Sequence, residues 1–123
     1  MDAPVFSHTF SKKERLTNKK YIEELFREGS FFRSGPFLIR FLPKSDLACH
    51  QVLISVPKKY FKRAVKRNRI RRRIREIYRL HKHLLANSEP ILLGIIYLSK
   101  EELSFVLMKS KLIRGLDRLK DQK

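Results

Sequence analysis

Acidic residues are scarce in this chain, cysteine is nearly absent and tryptophan is missing. Asp and Glu number 12 against 29 Lys and Arg in 123 residues, so the formal net charge is +17. That excess goes far beyond what solubility asks for and points to a polyanionic partner: RNA, DNA or an anionic membrane surface. The single cysteine, Cys49, excludes an intrachain disulfide and fits a reducing cytoplasm. It reads as a small buried hydrophobe rather than a reactive thiol. Apolar runs are short. The longest, Ile91 to Leu98, falls well under the ~20 residues that cross a bilayer. Met1-Asp2-Ala3-Pro4 lacks a basic end followed by an apolar run, so no targeting segment is expected.

What is present suits one modest globular domain. The hydrophobic fraction is 42% and includes 9 Phe, too apolar for a disordered chain. Residues 1–13 read as an N-terminal tail pinned by Phe6 or Phe10, and residues 14–120 as a single α+β domain. Lys19 to Glu28 is predicted helical, capped by Thr17 or Asn18 and ended by Gly29, with Ile22, Leu25 and Phe26 on one face. Phe31 and Phe32 begin a strand. Phe37 to Phe41 alternates, with Phe37, Ile39 and Phe41 on one side and Leu38 and Arg40 on the other. Cys49 to Val56 is a further strand, ended by Pro57, and the run from Pro90 to Leu98 a buried one. Ser99 to Glu102 reads as a capping box opening a last helix, with Phe105, Val106, Leu112, Ile113 and Leu116 inward and Lys111, Arg114 and Arg118 outward. The order is α-β-β-β-α-β-α, a small two-layer sandwich with helices on one face of the sheet.

The segment Val65 to Leu85 concentrates the charge. Ile70, Ile74, Ile77, Leu84 and Leu85 recur at helical spacing, with His81 inside the stripe. At about 100° per residue, Asn68, Arg71, Arg72, Arg75, Arg79 and Lys82 gather on a neighbouring face, with Arg69 and Arg73 on the other flank. A merely solvated face would mix signs, yet between Lys58 and Lys82 the only acid is Glu76. A membrane-surface helix would need its apolar stripe for lipid, and here the isoleucines suit a core. Nucleic acid remains: the guanidinium fork pairs two phosphate oxygens or one guanine edge. Asn68 adds a donor and an acceptor, for a sugar hydroxyl, a base edge or the N-cap of the helix. A lone Cys excludes a zinc finger and the missing heptads speak against a leucine zipper, which tilts the reading to RNA.

No catalytic constellation accompanies this helix. His81 and His83 lie two apart, about 200° around a helix, and cannot share a metal. The pairs Glu23-Glu24 and Glu101-Glu102 diverge and make no carboxylate cage for two metals, and no Ser–His–Asp or Cys–His set is suggested.

Arg67-Asn68-Arg69 followed by Ile70-Arg71-Arg72-Arg73-Ile74-Arg75-Glu76 closely resembles the RNR signature of the bacterial ribonuclease P protein component family. Ile54-Ser55-Val56-Pro57-Lys58-Lys59 and Ala64-Val65 match its lead-in, and Arg15-Leu16, Phe26 and Gly29 its first helix. The resemblance implies an α+β fold with a left-handed β-α-β crossover carrying the basic helix, against the usual hand. It implies a protein subunit of an endoribonuclease that joins a catalytic RNA and promotes removal of the 5′ leader of precursor tRNA. The RNA holds the catalytic Mg²⁺. No catalytic residue or metal ligand of the protein, no membrane and no obligate protein partner is expected. By the same resemblance Arg67, Asn68, Arg69, Arg71, Arg72 and Arg75, with the lead-in Lys58 and Lys59, face the RNA subunit. Ile22, Phe26, Leu38 and Arg40 fall where the family lines a cleft for the single-stranded leader. Many members carry aromatics where Ile22 and Arg40 sit, and a glycine where Tyr60-Phe61-Lys62-Arg63 now stands. The rival reading is a structural, ribosomal-type RNA-binding protein without a role in cleavage.

Arg67→Ala and Arg72→Ala are expected to weaken RNA binding and flatten its salt dependence, by on the order of 0.7 in the log–log slope per phosphate lost. A salt titration with an unchanged slope would remove these residues from the interface.

Overall fold

Local chemistry sets the boundaries of the elements. The computed structural model describes residues 10–86 and 88–121, so Phe6 and His8 lie outside the described residues. Helix α1 (Lys19–Glu28) starts where the Asn18 side chain accepts the Lys20 and Tyr21 N–H groups, at 2.9 and 3.2 Å. Strands β1 (Ser30–Ser34) and β2 (Phe37–Pro43) form a hairpin whose turn residue Gly35 takes φ +59°, a conformation that disfavours side chains. Strand β3 (Gln51–Ser55), helix α2 (Ala64–His81), strand β4 (Ile91–Tyr97) and helix α3 (Phe105–Asp121) complete the expected order. The sheet runs β1-β2-β4-β3, with β3 and β4 parallel neighbours joined by α2.

The alternation of β2 holds as expected. Phe37, Ile39 and Phe41 are buried, while Leu38 and Arg40 are half-buried on the other face. Along β4 every residue is buried, because both faces of that strand are covered. Ile91, Leu93, Ile95 and Tyr97 join the main core with Ile70, Ile74, Ile77 and Tyr78 of α2 and Met108, Leu112, Leu116 and Leu119 of α3. Leu92 faces the opposite way and packs with Leu16 and Leu25, flanked by Ile22, Leu42 and Leu53. The helical cover expected on one face is therefore α2 and α3, and α1 takes part of the other.

The structure corrects several boundaries. The strand after the hairpin is shorter than Cys49 to Val56, and Cys49 sits half-buried in a bend where its thiol donates to the Lys13 carbonyl at 3.6 Å. Burial first, then the charge of Glu14, raises the Cys49 pKa, which keeps the thiol protonated. The basic helix stops at His81, not Leu85, and continues as a 3-10 turn, Lys82–Leu85. His81 is half-buried at the margin of the apolar stripe, as suits a core-edge residue, its ring Nδ1 2.9 Å from the Ile77 carbonyl. Ser99 to Glu102 does not open the last helix. The Tyr97 hydroxyl donates to the Glu101 carbonyl at 2.6 Å and accepts the Leu103 N–H at 3.1 Å, which holds this segment out of helix. Ser104 caps instead, its Oγ accepting the Leu107 N–H at 3.2 Å. Phe105 and Val106, expected inward, form the first turn of this helix and are exposed at 38% and 76%.

The first described residues also dock. Phe10 meets Tyr78 edge-on with ring centres 5.7 Å apart, and Leu16 N–H donates to the Val52 carbonyl at 2.9 Å. Glu14 accepts the Ser11 N–H and hydroxyl, both at 2.9 Å, and the Lys82 ammonium at 2.7 Å, fastening this segment to the end of the basic helix.

Gly29 closes α1 against β2: a Cβ there would lie 2.5 Å from the Leu25 carbonyl and 3.0 Å from that of Phe41. Gly29→Ala is expected to destabilise the fold by ~1–3 kcal/mol, read as a lower urea midpoint. An unchanged midpoint would mean that α1 can shift away from β2 freely.

Candidate nucleic-acid interface

The apolar stripe Ile70, Ile74, Ile77 and Tyr78 seats α2 on the sheet, and burial of that stripe decides where every arginine points. Three groups result. On the α3 side, Arg69 forms a two-pronged pair with Glu102, Nε to Oε2 at 2.6 Å and Nη2 to Oε1 at 2.7 Å. Arg73 reaches the same carboxylate at 3.3 Å. On the β3 side, Arg71 and Arg75 line a concavity with Arg15, Phe10, Leu16 and Val52–Ile54. Between the two flanks Arg72 is exposed, with no hydrogen-bond or ion-pair partner among the described residues.

Two members of the expected set act within the chain. Arg67 donates from one Nη to the carbonyls of Phe61 and Lys62, both at 2.8 Å, which ties down the loop entering α2 where its N-cap, Arg63, offers no side-chain bond. Asn68 is not the N-cap. The helix already starts at Ala64, and the Asn68 side-chain oxygen accepts from Arg71 at 2.7 Å. Asn68 therefore aims a neighbouring guanidinium. Lys58 and Lys59 are exposed in the preceding turn, the Lys59 ammonium 5.1 Å from the centre of the Tyr60 ring. Glu76, the lone acid on the helix, is held by Arg79 at 2.7 Å. Their hydrogen bond is the main reason that the Glu76 pKa is lowered.

The second set lies on the α1 side of the sheet. Phe26, at 41% exposure, turns away from the small core that Leu25 enters, while Ile22 is half-buried against it. Arg40 sits 5.1 Å from the centres of both the Phe26 and Phe31 rings, a guanidinium held between two aromatic faces. Its Nε is buried without a hydrogen-bond partner. Leu38 follows on the same face of β2, half-buried. Phe31 was not among the residues expected here. Its signal was available: Phe31 stands opposite Arg40 in the hairpin, and Phe32 takes the buried side. Arg15, Arg71 and Arg75 gather at the β3 edge of the sheet, where Arg15 and Leu16 run alongside Val52.

Among the described residues no three His, Cys, Asp or Glu side chains converge. The concentration of cations suits ribose-phosphate, and the aromatic–cation cleft suits an unpaired strand whose bases stack while its phosphates are neutralised.

A family model described as Ribonuclease P matches residues 10–120. The Ribonuclease P protein component of Porphyromonas gingivalis strain W83 is 47% identical over 77 residues, 61% of this chain, and that match spans only 56% of the relative's length. The corresponding protein of Petrotoga mobilis is 33% identical over 109 residues, 89% of this chain and 82% of its own. Among solved structures, the RNase P protein from Thermotoga maritima aligns with a TM-score of 0.73 and 25% identity, over 85% of this chain and 96% of that one. The Staphylococcus aureus RNase P protein shares the fold, with a TM-score of 0.74 at 20% identity over 86% and 94% of the two chains.

The Glu102 clamp carries a pH signature. The hydrogen bond from Arg69 lowers the Glu102 pKa against the opposing effect of burial, with the charges of Arg69, Arg73 and Lys66 adding to it. A carboxyl whose folded pKa lies below its unfolded one stabilises the fold above the unfolded value, and that stability is lost as pH falls through the folded value. Glu102→Gln should therefore lower the urea midpoint at neutral pH, and the gap from wild type should close on acidification. A gap of constant size at all pH values would mean that the charge contributes nothing.

Proposed function

The chain belongs to the Ribonuclease P protein family, and from that membership we propose that it is the protein subunit of a ribonucleoprotein ribonuclease P. In this reading it binds the catalytic RNA and the 5′ leader of precursor tRNA, and promotes the endonucleolytic cut that leaves the mature tRNA 5′ end. The observation that carries the proposal is the outer face of α2. The acids of the chain reach its flank and its end, through Glu102, Glu76 and Glu14, and leave Arg72 unpaired in the middle. A polyanion from another molecule completes that face.

The placement of the side chains supports a division of labour. Arg71, Arg72 and Arg75, with Lys58 and Lys59 at the N-terminal end of the helix, take phosphates of the RNA subunit. Arg67 and Asn68 order the loop and the guanidiniums that do so. The cleft of Phe26, Phe31, Arg40 and Leu38 takes the leader, its rings offering stacking faces and Arg40 a charge. No carboxylate or imidazole of the protein is assigned to the reacting phosphate, and Mg²⁺ stays with the RNA. The proposed place of action is the cytoplasm; among the described residues no helix is long and apolar enough to cross a membrane.

Reconstitution tests the proposal: a ribonuclease P RNA transcript and precursor tRNA at low Mg²⁺, with and without the protein. Leader removal is expected to depend on both partners. Binding without any stimulation of cleavage would instead support the structural RNA-binding role, and cleavage by protein alone would revive an autonomous nuclease. Phe26→Ala should weaken leader-bearing substrate more than mature tRNA, by ~1–3 kcal/mol if one base stacks there. Equal losses for both substrates would remove Phe26 from leader contact.

A further inference from the structure

Helix α3 opens with Phe105, Val106 and Leu107 at 38%, 76% and 41% exposure, and nothing in the described chain covers them. Isolated surface hydrophobes are ordinary. Phe105 is distinguished by its setting: with Arg69, Arg72, Arg73 and Glu76 it lines an open groove of about 430 Å³. A second concavity of about 330 Å³, lined by Arg63, Val65, Lys66 and Arg69, adjoins it across the shared Arg69 side chain. The acids here are already neutralised, Glu76 by Arg79 and Glu102 by Arg69 and Arg73, so an incoming anion meets net positive charge.

We propose that this groove between α2 and the start of α3 holds one unpaired RNA nucleotide, its base stacked on Phe105 and its flanking phosphates on Arg72 and Lys66. The proposal rests on the RNA-binding reading above and adds a contact outside both the leader cleft and the β3 side of α2. The alternation of flat apolar surface with cations matches the alternation of base and phosphate along a single strand. A lipid or protein partner would call for a continuous apolar patch, and here Lys66 and Arg69 interrupt it. A duplex would not serve, because its base faces are occupied by their neighbours. Glu102 is the positioning residue. It fixes the Arg69 and Arg73 side chains as walls, so that the groove exists before RNA arrives.

The chain contains no tryptophan, so Phe105→Trp in the full-length protein introduces a single indole reporter. Titration with a ribonuclease P RNA transcript, and separately with a short oligoadenylate, is expected to quench its emission with the midpoint of binding measured by filter retention. Phe105→Ala should weaken binding roughly five- to one-hundredfold, with Phe105→Tyr restoring it and circular dichroism unchanged in both. Emission that stays constant at saturating RNA, or equal binding by the Ala and Tyr variants, overturns the proposal. So does an RNA-independent blue shift that grows with protein concentration, which would assign the groove to a second copy of the chain. Wild-type reconstituted cleavage is measured alongside. If cleavage works while the indole is silent, only the groove assignment fails. If cleavage fails while the indole is quenched by oligoadenylate, the subunit reading fails and the stacking site stands.

Discussion

Burial of the α2 stripe is the interaction on which the rest depends. Its outer surface gathers arginines that repel one another, at a few tenths of a kcal/mol per exposed like-charged pair one turn apart. Its inner surface buries Ile70, Ile74, Ile77 and Tyr78, each at 1% exposure or less. Full burial of such side chains contributes about 1.5–3 kcal/mol apiece. The apolar term wins by a wide margin, so the chain can hold a helix bearing a row of arginines at fixed spacing without an anion present. Rigid spacing matters for a phosphate lattice, because groups already in place need no further ordering when the partner binds.

The few acids are spent where they fix geometry. Glu102 comes from the loop after β4, Glu14 from the segment before α1, and Glu76 from α2 itself. Together they hold Arg69, Arg73, Lys82 and Arg79 at the flank and the end of the helix, and Arg72 is left without such an anchor. Partly exposed pairs of this kind add little stability and are screened by salt. Their larger effect is on direction: a guanidinium gripped by a carboxylate on two prongs has one orientation to offer. Arg40 reaches the same end differently, held between Phe26 and Phe31 with its Nε buried and unpartnered.

Both surfaces follow from one topological fact. Strand β4 is central and buried on both faces, so helices α2 and α3 settle on one side and α1 on the other. The cationic helix and the aromatic cleft are thereby separated, and Arg15, Arg71 and Arg75 gather at the β3 edge of the sheet. Gly94 lets α1 come close at the cleft: an added Cβ would stand 3.3 Å from a Leu25 methyl and 3.7 Å from the Arg40 Cβ.

The sequence by itself determined the elements whose signal is periodic: the alternation of β2, the unbroken apolar run of β4, and the isoleucine spacing that makes one side of α2 core and the other cationic. Those patterns are legible because backbone geometry repeats every two or 3.6 residues, wherever the segment ends up. The tertiary structure alone decided which side chains meet. Glu102 looked like part of a helix cap and instead grips arginines 33 and 29 residues away, because the Tyr97 hydroxyl holds its segment out of helix. Phe105 and Val106, at the first turn of α3, stand outside the core, and Arg67 donates to the carbonyls of its own loop. Contacts of this kind depend on the packing of elements distant in sequence, and no local period encodes them.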